Sequence, residues 1–372
     1  MKIGVLTSSR ADFGIYLPLL KRLKADDELI IEIIAFGTHF SPRHGNTIHE
    51  IESKNFKVIH RLKHEMKDEN EFDMANSFLD CMRVFTNFWK EFTFDLVLCL
   101  GDRFEMLAAV QCGIPFKIRF AHFHGGEHTM GALDNIFRNQ ITVASSYHFT
   151  ATKIFAERVS ELIGSTQRVF HVGSLSISDL ADLELDSLTK FKSNFSIPDL
   201  PYILITIHPE TNSTLSTKEF MANLIEALKD IPTTLYQVIN LPNADFGSAL
   251  IRESLLSYNK AFPKRSFLIE SFGKKNYFTA MKYCEFMMGN SSSGIIEGAS
   301  FGKFVINIGE RQKGRLQSEN VINSNYKKDS ILKKVHLLLN GNKTFAGENR
   351  YYKQNAVSFT HELIKQILDG RL

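Results

Sequence analysis

Several short stretches of the chain gather residue types that move protons or hold phosphate. HFHGGEH, His122 to His128, is the densest, with Glu127 after a Gly-Gly turn and Asp134 seven residues further on. His122 and His124 lie two apart and share a face if the stretch is a strand. Two histidines and a carboxylate could bind zinc. Acid–base work is the better use, because imidazole and carboxyl groups titrate near working pH. The competing reading is a loop of hydrogen-bonded polar residues. GDRFE, Gly101 to Glu105, closes the apolar run LVLCL and places Asp102 at a strand's carboxyl end, where α/β sites collect their residues. An aspartate there is equally suited to capping a helix that starts at Arg103.

Two further loops are built for anions. TSSRADFG, Thr7 to Gly14, follows the first strand and sets Arg10 at a helix start, and arginine suits bidentate phosphate recognition. Read without a ligand, it is a capped helix with an exposed arginine. GNSSSGIIEGASFGK, Gly289 to Lys303, follows an apolar run and opens a helix. Its hydroxyls, free N–H groups and helix dipole could take a phosphate, and Glu297, one turn in, could accept ribose hydroxyls. A serine-capped helix without a ligand explains the same residues. The glycine spacing fits neither a Walker A loop nor GxGxxG, which disfavours a P-loop ATPase and a standard NAD site. TIHPE ends in His208 and Glu210, LPNAD carries Asn243, and NIGERQKGR presents Arg311 and Arg315. Each is weak alone, but polar strand ends directed at one crevice raise the case for a real site.

The elements that must position these residues alternate. Strand-like runs at Lys2–Ser9, Ile30–Gly37, Leu96–Gly101, Ile118–His124 and His148–Thr152 are separated by helix-period segments at Tyr16–Lys24, Phe78–Glu91 and Arg103–Cys112. The pattern restarts with strands at Tyr202–His208, Thr234–Asn240, Ser266–Ser271, Phe286–Gly289 and Phe304–Ile308. Helices are expected between them at Ser216–Lys229, Phe246–Asn259, Lys275–Lys282 and Ile295–Phe301, and Asn355–Leu368 reads as one amphipathic helix. Such alternation predicts α/β architecture: two doubly wound parallel-sheet domains with a ligand cleft at the carboxyl ends of their strands. The junction is expected near residues 175–185. The predicted domains are 1–180 with the catalytic residues, 181–354 with the nucleotide site, and a terminal helix at 355–372 packing back on the first.

Composition narrows the classes. The 372 residues are 44% hydrophobic and 23% charged, which excludes collagen-like, disordered and coiled-coil chains. A net charge of +3 gives no electrostatic reason to expect a nucleic-acid or membrane partner. The cysteines at 81, 99, 112 and 284 lack CxxC spacing and read as buried thiols rather than disulfides or a zinc ribbon. MKIGVLTSSRADFG is too short in apolar residues for a signal peptide, and no run reaches 18 apolar residues, so a cytoplasmic protein is expected.

Taken in order, TSSRADFG, GDRFE, HFHGGE with GALDN and FRNQIT, TIHPE, LPNADFG, GNSSSGIIE and NIGERQKGR–SEN resemble the hydrolysing UDP-N-acetylglucosamine 2-epimerases of sialic-acid-type biosynthesis, over nearly the whole chain. The resemblance implies a GT-B-like fold of two Rossmann-like domains, with the UDP-sugar between them. It implies catalytic roles for Asp102 and Asp134 and places Arg10 on the departing diphosphate. His124, with an imidazole suited to a proton shuttle, and Glu127, against its Gly-Gly turn, are the further catalytic candidates. Ala11, Arg103, His208, Asn243, Ser291, Ser292, Ser293, Glu297 and Arg311 would contact UDP or substrate. It implies no cofactor, no metal, and a homo-oligomer, dimer or tetramer. Better-known members read HIEGGE, with the first Glu catalytic; here His124 stands in that place, and one extra residue precedes Asp134. The HxHGGE form resembles the branch acting on UDP-2,4-diacetamido-2,4,6-trideoxyglucose on the way to legionaminic acid. The implied reaction takes that sugar or UDP-GlcNAc, eliminates UDP to a 2-acetamidoglycal, and adds water to release the free 2-epimer. Competing expectations are a GT-B glycosyltransferase, a non-hydrolysing 2-epimerase and a catalytically silent nucleotide-sugar sensor.

Overall fold

Apolar runs interrupted by amphipathic segments have one compact solution, a parallel sheet sandwiched by helices, and this chain forms it twice. The computed structural model describes the chain except residues 42–45, 67–70, 129–133, 181–182, 211–214 and 243–246. One unit comprises Met1–His128, Leu133–Asp179 and Tyr351–Leu372; Leu180–Arg350 belongs to the other.

The first unit runs β1 (Lys2–Thr7), α1 (Arg10–Lys24), β2 (Ile30–Ala35), α2 (Ile48–Ser53), β3 (Val58–Arg61), α3 (Glu71–Glu91), β4 (Leu96–Leu100), α4 (Phe104–Gly113), β5 (Phe120–Phe123), α5 (Asp134–Ala144), β6 (Tyr147–Thr150), α6 (Lys153–Ile163) and β7 (Val169–His171). Its strands pair in the order β3-β2-β1-β4-β5-β6-β7, all parallel. The second unit runs α7 (Leu188–Asn194), β8 (Tyr202–Thr206), α8 (Thr217–Asp230), β9 (Tyr236–Asn240), α9 (Ser248–Ala261), β10 (Ser266–Ile269), α10 (Gly273–Tyr283), β11 (Met287–Gly289), α11 (Ser292–Ile296), β12 (Val305–Ile308), β13 (Val321–Ser324) and α12 (Lys328–Asn340). Its strands pair in the order β10-β9-β8-β11-β12-β13, again parallel. The last helix, α13 (Ala356–Leu368), packs on α1 with Leu363, Ile364 and Ile367 buried among Leu19, Leu20 and Leu23. His361 and Lys365 on α13 pair with Asp26 just after α1, at 2.8 and 3.2 Å.

Both sheets are doubly wound, as the alternation predicts, and each buries a core on both faces. In each, strand order reverses beside the first strand, at β1/β4 and at β8/β11. Loops leaving the carboxyl ends at such a reversal diverge to opposite faces and leave a crevice, where α/β proteins bind ligands. TSSRADFG and GDRFE leave β1 and β4; TIHPE and GNSSSG leave β8 and β11.

Several expected boundaries shift. Helix α1 begins at Arg10 rather than Tyr16, because Ser9 and Asp12 form a reciprocal capping box that starts it six residues earlier. The expected helix over Ile295–Phe301 is two pieces: α11 ends at Ile296, and residues 298–301 form a tighter 3₁₀ turn. Gly298 opens that turn close against β12, where a Cβ would lie 2.9 Å from Val305.

Candidate active site

At the first reversal point the polar groups are ionisable and largely buried. The Asp12 carboxylate accepts from the Ser8 and Ser9 backbone N–H groups at 2.8 and 3.0 Å and from both hydroxyls at 2.7 and 2.9 Å. The four bonds fix the loop that presents Arg10 and the exposed Ala11, and Arg10 lies 3.7 Å from Glu50 on α2. Across the reversal, Gly101 turns the chain out of β4 with φ +84, a left-handed conformation that glycine adopts without strain. Asp102 follows and is not the helix cap. Arg103 occupies that position without a side-chain cap bond, and its guanidinium turns to the fully buried Glu105 at 3.0 Å.

The Asp102 carboxylate instead pairs with Arg138, from the middle of α5. Arg138 is 3% exposed, and a guanidinium so buried must be compensated. It donates to the His124 carbonyl at 2.6 Å and lies 3.9 Å from Glu127. Its Nε, also buried, has no hydrogen-bond partner among the described residues. Glu127, in turn, holds His124 Nδ1 at 2.6 Å, with both side chains buried. His124 has φ +64, uncommon for a residue with a side chain and a form of strain that concentrates at functional sites. Gly126 closes the turn with φ +77, and a Cβ there would meet the Phe155 carbonyl at 2.3 Å. The folded chain thus joins Asp102, Arg138, Glu127 and His124 into one contiguous set. Asp134 opens α5, one helical turn before Arg138, and is exposed.

His122 does not share that role. It is fully buried on β5, with Nε2 2.9 Å from the Gly101 carbonyl and Nδ1 3.1 Å from the Thr142 hydroxyl. Burial pushes its pKa down to about 3, so the ring is neutral at ordinary pH. Among the described residues, no three His, Cys, Asp or Glu side chains group as metal ligands. The residue that reading the sequence missed is Arg138. FRNQIT contains it, and a helix begun at Asp134 puts position i+4 on the same face, a spacing visible in the sequence.

At the second reversal point the groups are mostly neutral. Gly289 ends β11 with φ +138, and a Cβ would lie 2.0 Å from the Thr206 carbonyl, so only glycine fits. The buried Asn290 side chain accepts from the His208 N–H at 2.7 Å and donates to the His208 carbonyl at 2.9 Å, locking the two loops. Ser291 caps α11, accepting from the Ser293 N–H at 3.3 Å. The Ser293 hydroxyl lies 3.0 Å from Ser291 Oγ and 2.7 Å from the hydroxyl of Tyr277, whose pKa burial raises to about 12. Ser292 opens α11, and Glu297 stands at its C-cap, buried, rather than a turn inside the helix. Arg311 and Gln312 both donate to the Asn290 carbonyl at 2.9 Å. His208, Ser291, Ser292, Ser293 and Arg311 therefore lie around Asn290 and α11. Asn243 lies outside the described residues.

Comparison with known proteins bears on the family and the fold. A family profile described as UDP-N-acetylglucosamine 2-epimerase matches residues 21–365. The Escherichia coli polysialic acid biosynthesis protein P7 is 31% identical over 375 residues, covering 100% of this chain and 95% of the relative. A Legionella pneumophila protein named UDP-N,N'-diacetylbacillosamine 2-epimerase (hydrolyzing) is 32% identical over 91% of this chain and 89% of its own. Among solved structures, the Neisseria meningitidis UDP-GlcNAc 2-epimerase bound to UDP-GlcNAc aligns with a TM-score of 0.82 over 98% of this chain and 100% of the other, at 19% identity. At that identity the likeness speaks for the fold, which is GT-B-like. No helix among the described residues is long and apolar enough to cross a membrane.

Proposed function

The chain belongs to the UDP-N-acetylglucosamine 2-epimerase family, and from that premise we propose that it is the hydrolysing type. It takes a UDP-2-acetamido sugar and water, and releases UDP and the free 2-epimeric sugar. The observation that carries this reading is the buried His124–Glu127 contact beside the Asp102–Arg138 pair. The relative named hydrolysing, at 32% identity, supports the subtype. Its substrate class also favours UDP-2,4-diacetamido-2,4,6-trideoxyglucose over UDP-GlcNAc.

Charge counting gives the roles. With an uncharged imidazole the set carries two carboxylates and one guanidinium, a net negative charge that a proton on His124 would neutralise. Glu127 takes the Nδ1 proton and so leaves Nε2 as the basic atom, the logic of a carboxylate-oriented histidine. His124 Nε2 removes the C2 proton while UDP departs from C1, giving the 2-acetamidoglycal. Asp102, held by Arg138, takes a proton from the water whose oxygen adds to C1. Asp134, exposed and loaded with a proton from solvent, delivers that proton to the opposite face of C2, and His124 and Asp102 give theirs up to solvent as the products leave. Every electron pair stays within substrate, water and side chains; no redox change occurs, and no cofactor is involved.

The diphosphate leaves with developing charge. Ser291, Ser292, Ser293 and Arg311 receive it with hydroxyls, N–H groups and one cation, and Arg10, Ala11 and Arg103 are assigned to substrate contacts. His208, Asn243 and Glu297 hold the nucleoside. Incubation with either UDP-sugar, without an acceptor, tests the reading. One UDP per free 2-epimer is expected; a UDP-linked epimer would show the non-hydrolysing type, and turnover only with an added acceptor would show a transferase.

A further inference from the structure

His122 belongs to no step above, yet it is a fully buried polar side chain next to the reacting set. Its ring spans the two elements that carry the Asp102–Arg138 pair. Nε2 is 2.9 Å from the carbonyl of Gly101, the residue before Asp102. Nδ1 is 3.1 Å from the hydroxyl of Thr142, one helical turn beyond Arg138 on α5. That hydroxyl is also 2.9 Å from the Arg138 carbonyl. Space is reserved for the ring: a Cβ on Gly125 would lie 3.2 Å from both His122 Nδ1 and Thr142 Oγ1.

Hydrogen counting then fixes the arrangement. A carbonyl only accepts, so the Gly101 contact requires a proton on Nε2. A neutral ring has no second proton, so Nδ1 can only accept, and the one proton of the Thr142 hydroxyl is shared between Nδ1 at 3.1 Å and the Arg138 carbonyl at 2.9 Å. Protonating the ring would turn Nδ1 into a donor and commit the hydroxyl to the Arg138 carbonyl. Burial, which holds the pKa near 3, keeps the ring neutral instead. The contacts form a chain from Gly101 through the imidazole to Thr142 and so to the turn that holds Arg138.

We infer that His122 is a positioning residue for the epimerase reaction: as the neutral Nε2–H tautomer it ties the carboxyl end of β4 to α5 and so holds Asp102 and Arg138 at their working separation. The inference rests on the epimerase reading above for its catalytic consequence, but its geometric half does not. Outer groups of this kind typically change activity by about 10–100-fold when removed.

The test uses the full chain. His122→Leu removes both bonds, Thr142→Val removes only the donor to Nδ1, and His122→Gln restores an amide N–H toward Gly101 and an oxygen that can accept. Turnover of the UDP-sugar is followed by NMR, which counts hydrolysed and non-hydrolysed epimer alike. The expected result is a kcat loss of about 10–100-fold in His122→Leu, a smaller loss in Thr142→Val, and substantial recovery in His122→Gln, with KM and UDP affinity near wild type in all three. Equal loss in His122→Gln and His122→Leu, or a loss confined to KM, would overturn the inference. If His122→Leu does not fold, Thr142→Val and the ring's ¹⁵N spectrum decide. Wild type inactive on every UDP-sugar would sink the epimerase reading alone. The histidine ¹⁵N spectrum would still decide the geometry: an Nε2–H tautomer at pH 7 supports it, and an Nδ1–H or doubly protonated ring contradicts it.

Discussion

The two reversal points share a topology and differ in what they bury. Beyond β1 and β4, carboxylates, a guanidinium and an imidazole are packed together in mutual contact. Beyond β8 and β11, the groups are serine hydroxyls, an asparagine amide, a tyrosine and backbone, with Arg311 donating to a carbonyl. Burying ionisable groups is expensive unless they are paired, so a set of them marks work that neutral groups cannot do. In the proposed function the first region is the one that moves protons. The second presents mainly neutral hydrogen-bonding groups, with Glu297 buried at the end of α11. Under the proposed function, one fold repeated within the chain carries two chemistries, and that division of labour is open to attack from either side.

The largest effect is expected in the first region. Asp102→Asn and His124→Ala should each lower kcat by about 10²–10⁴-fold while leaving UDP affinity unchanged in a binding titration. Retained turnover in Asp102→Asn would reduce Asp102 to a structural partner of Arg138. A loss of UDP affinity instead would erase the distinction between the regions.

Acid should also separate them. Burial holds His39 and His148 near pKa 4 and His122 near 3, against an ordinary value of 6.5, and all three lie in the first unit. The unfolded chain therefore binds more protons than the folded one below pH 6.5. This stability is complete above 6.5 and drains away as pH falls through the folded values, by roughly 3 kcal/mol or more per histidine. In the second unit burial instead pushes Tyr202, Tyr277 and Cys284 upward, and these groups stay protonated in acid in either state. Hydrogen exchange between pH 6.5 and 4 should show β5 and β6 losing protection before β8 and β11 do. The reverse order would contradict this accounting.

Gly289→Ala targets the second region alone. A methyl group 2.0 Å from the Thr206 carbonyl must displace β8 or β11, and the φ of +138 disfavours any side chain. A loss of about 2–4 kcal/mol in urea unfolding is expected, with UDP binding abolished.

How much of this was legible in the residues depends on the kind of fact. Runs such as LVLCL and YILIT announce parallel strands because both faces of the sheet are covered, and every residue in them is buried. The short edge strands β3, β7 and β13 went unread: VIHR, VFH and VINS are brief, and pairing with a neighbour, not composition, makes them strands. Asp102 could be cap or catalyst on spacing alone. Its orientation was decided by an arginine 36 residues later, a tertiary contact with no local signature. The His124–Glu127 contact was hidden for another reason, since it depends on a left-handed backbone at His124 that a sequence does not display. The serine turn was the most readable feature, because its caps and glycine act within a few residues of one another.

The smallest effect sharpens the contrast from the other side. Ser293→Ala removes one hydroxyl that bridges Ser291 and Tyr277. UDP affinity should fall about tenfold, near the 1–1.5 kcal/mol of a single hydrogen bond, while kcat at saturation changes little. A kcat loss as large as that of His124→Ala would place chemistry in the second region too.

The most direct test of proton transfer at C2 is the reaction run in D₂O with the wild-type protein and the accepted UDP-sugar, followed by ¹H NMR. The account predicts a free 2-epimeric sugar carrying one deuterium at C2, with UDP released in equal amount. A product that retains protium at C2 would contradict it.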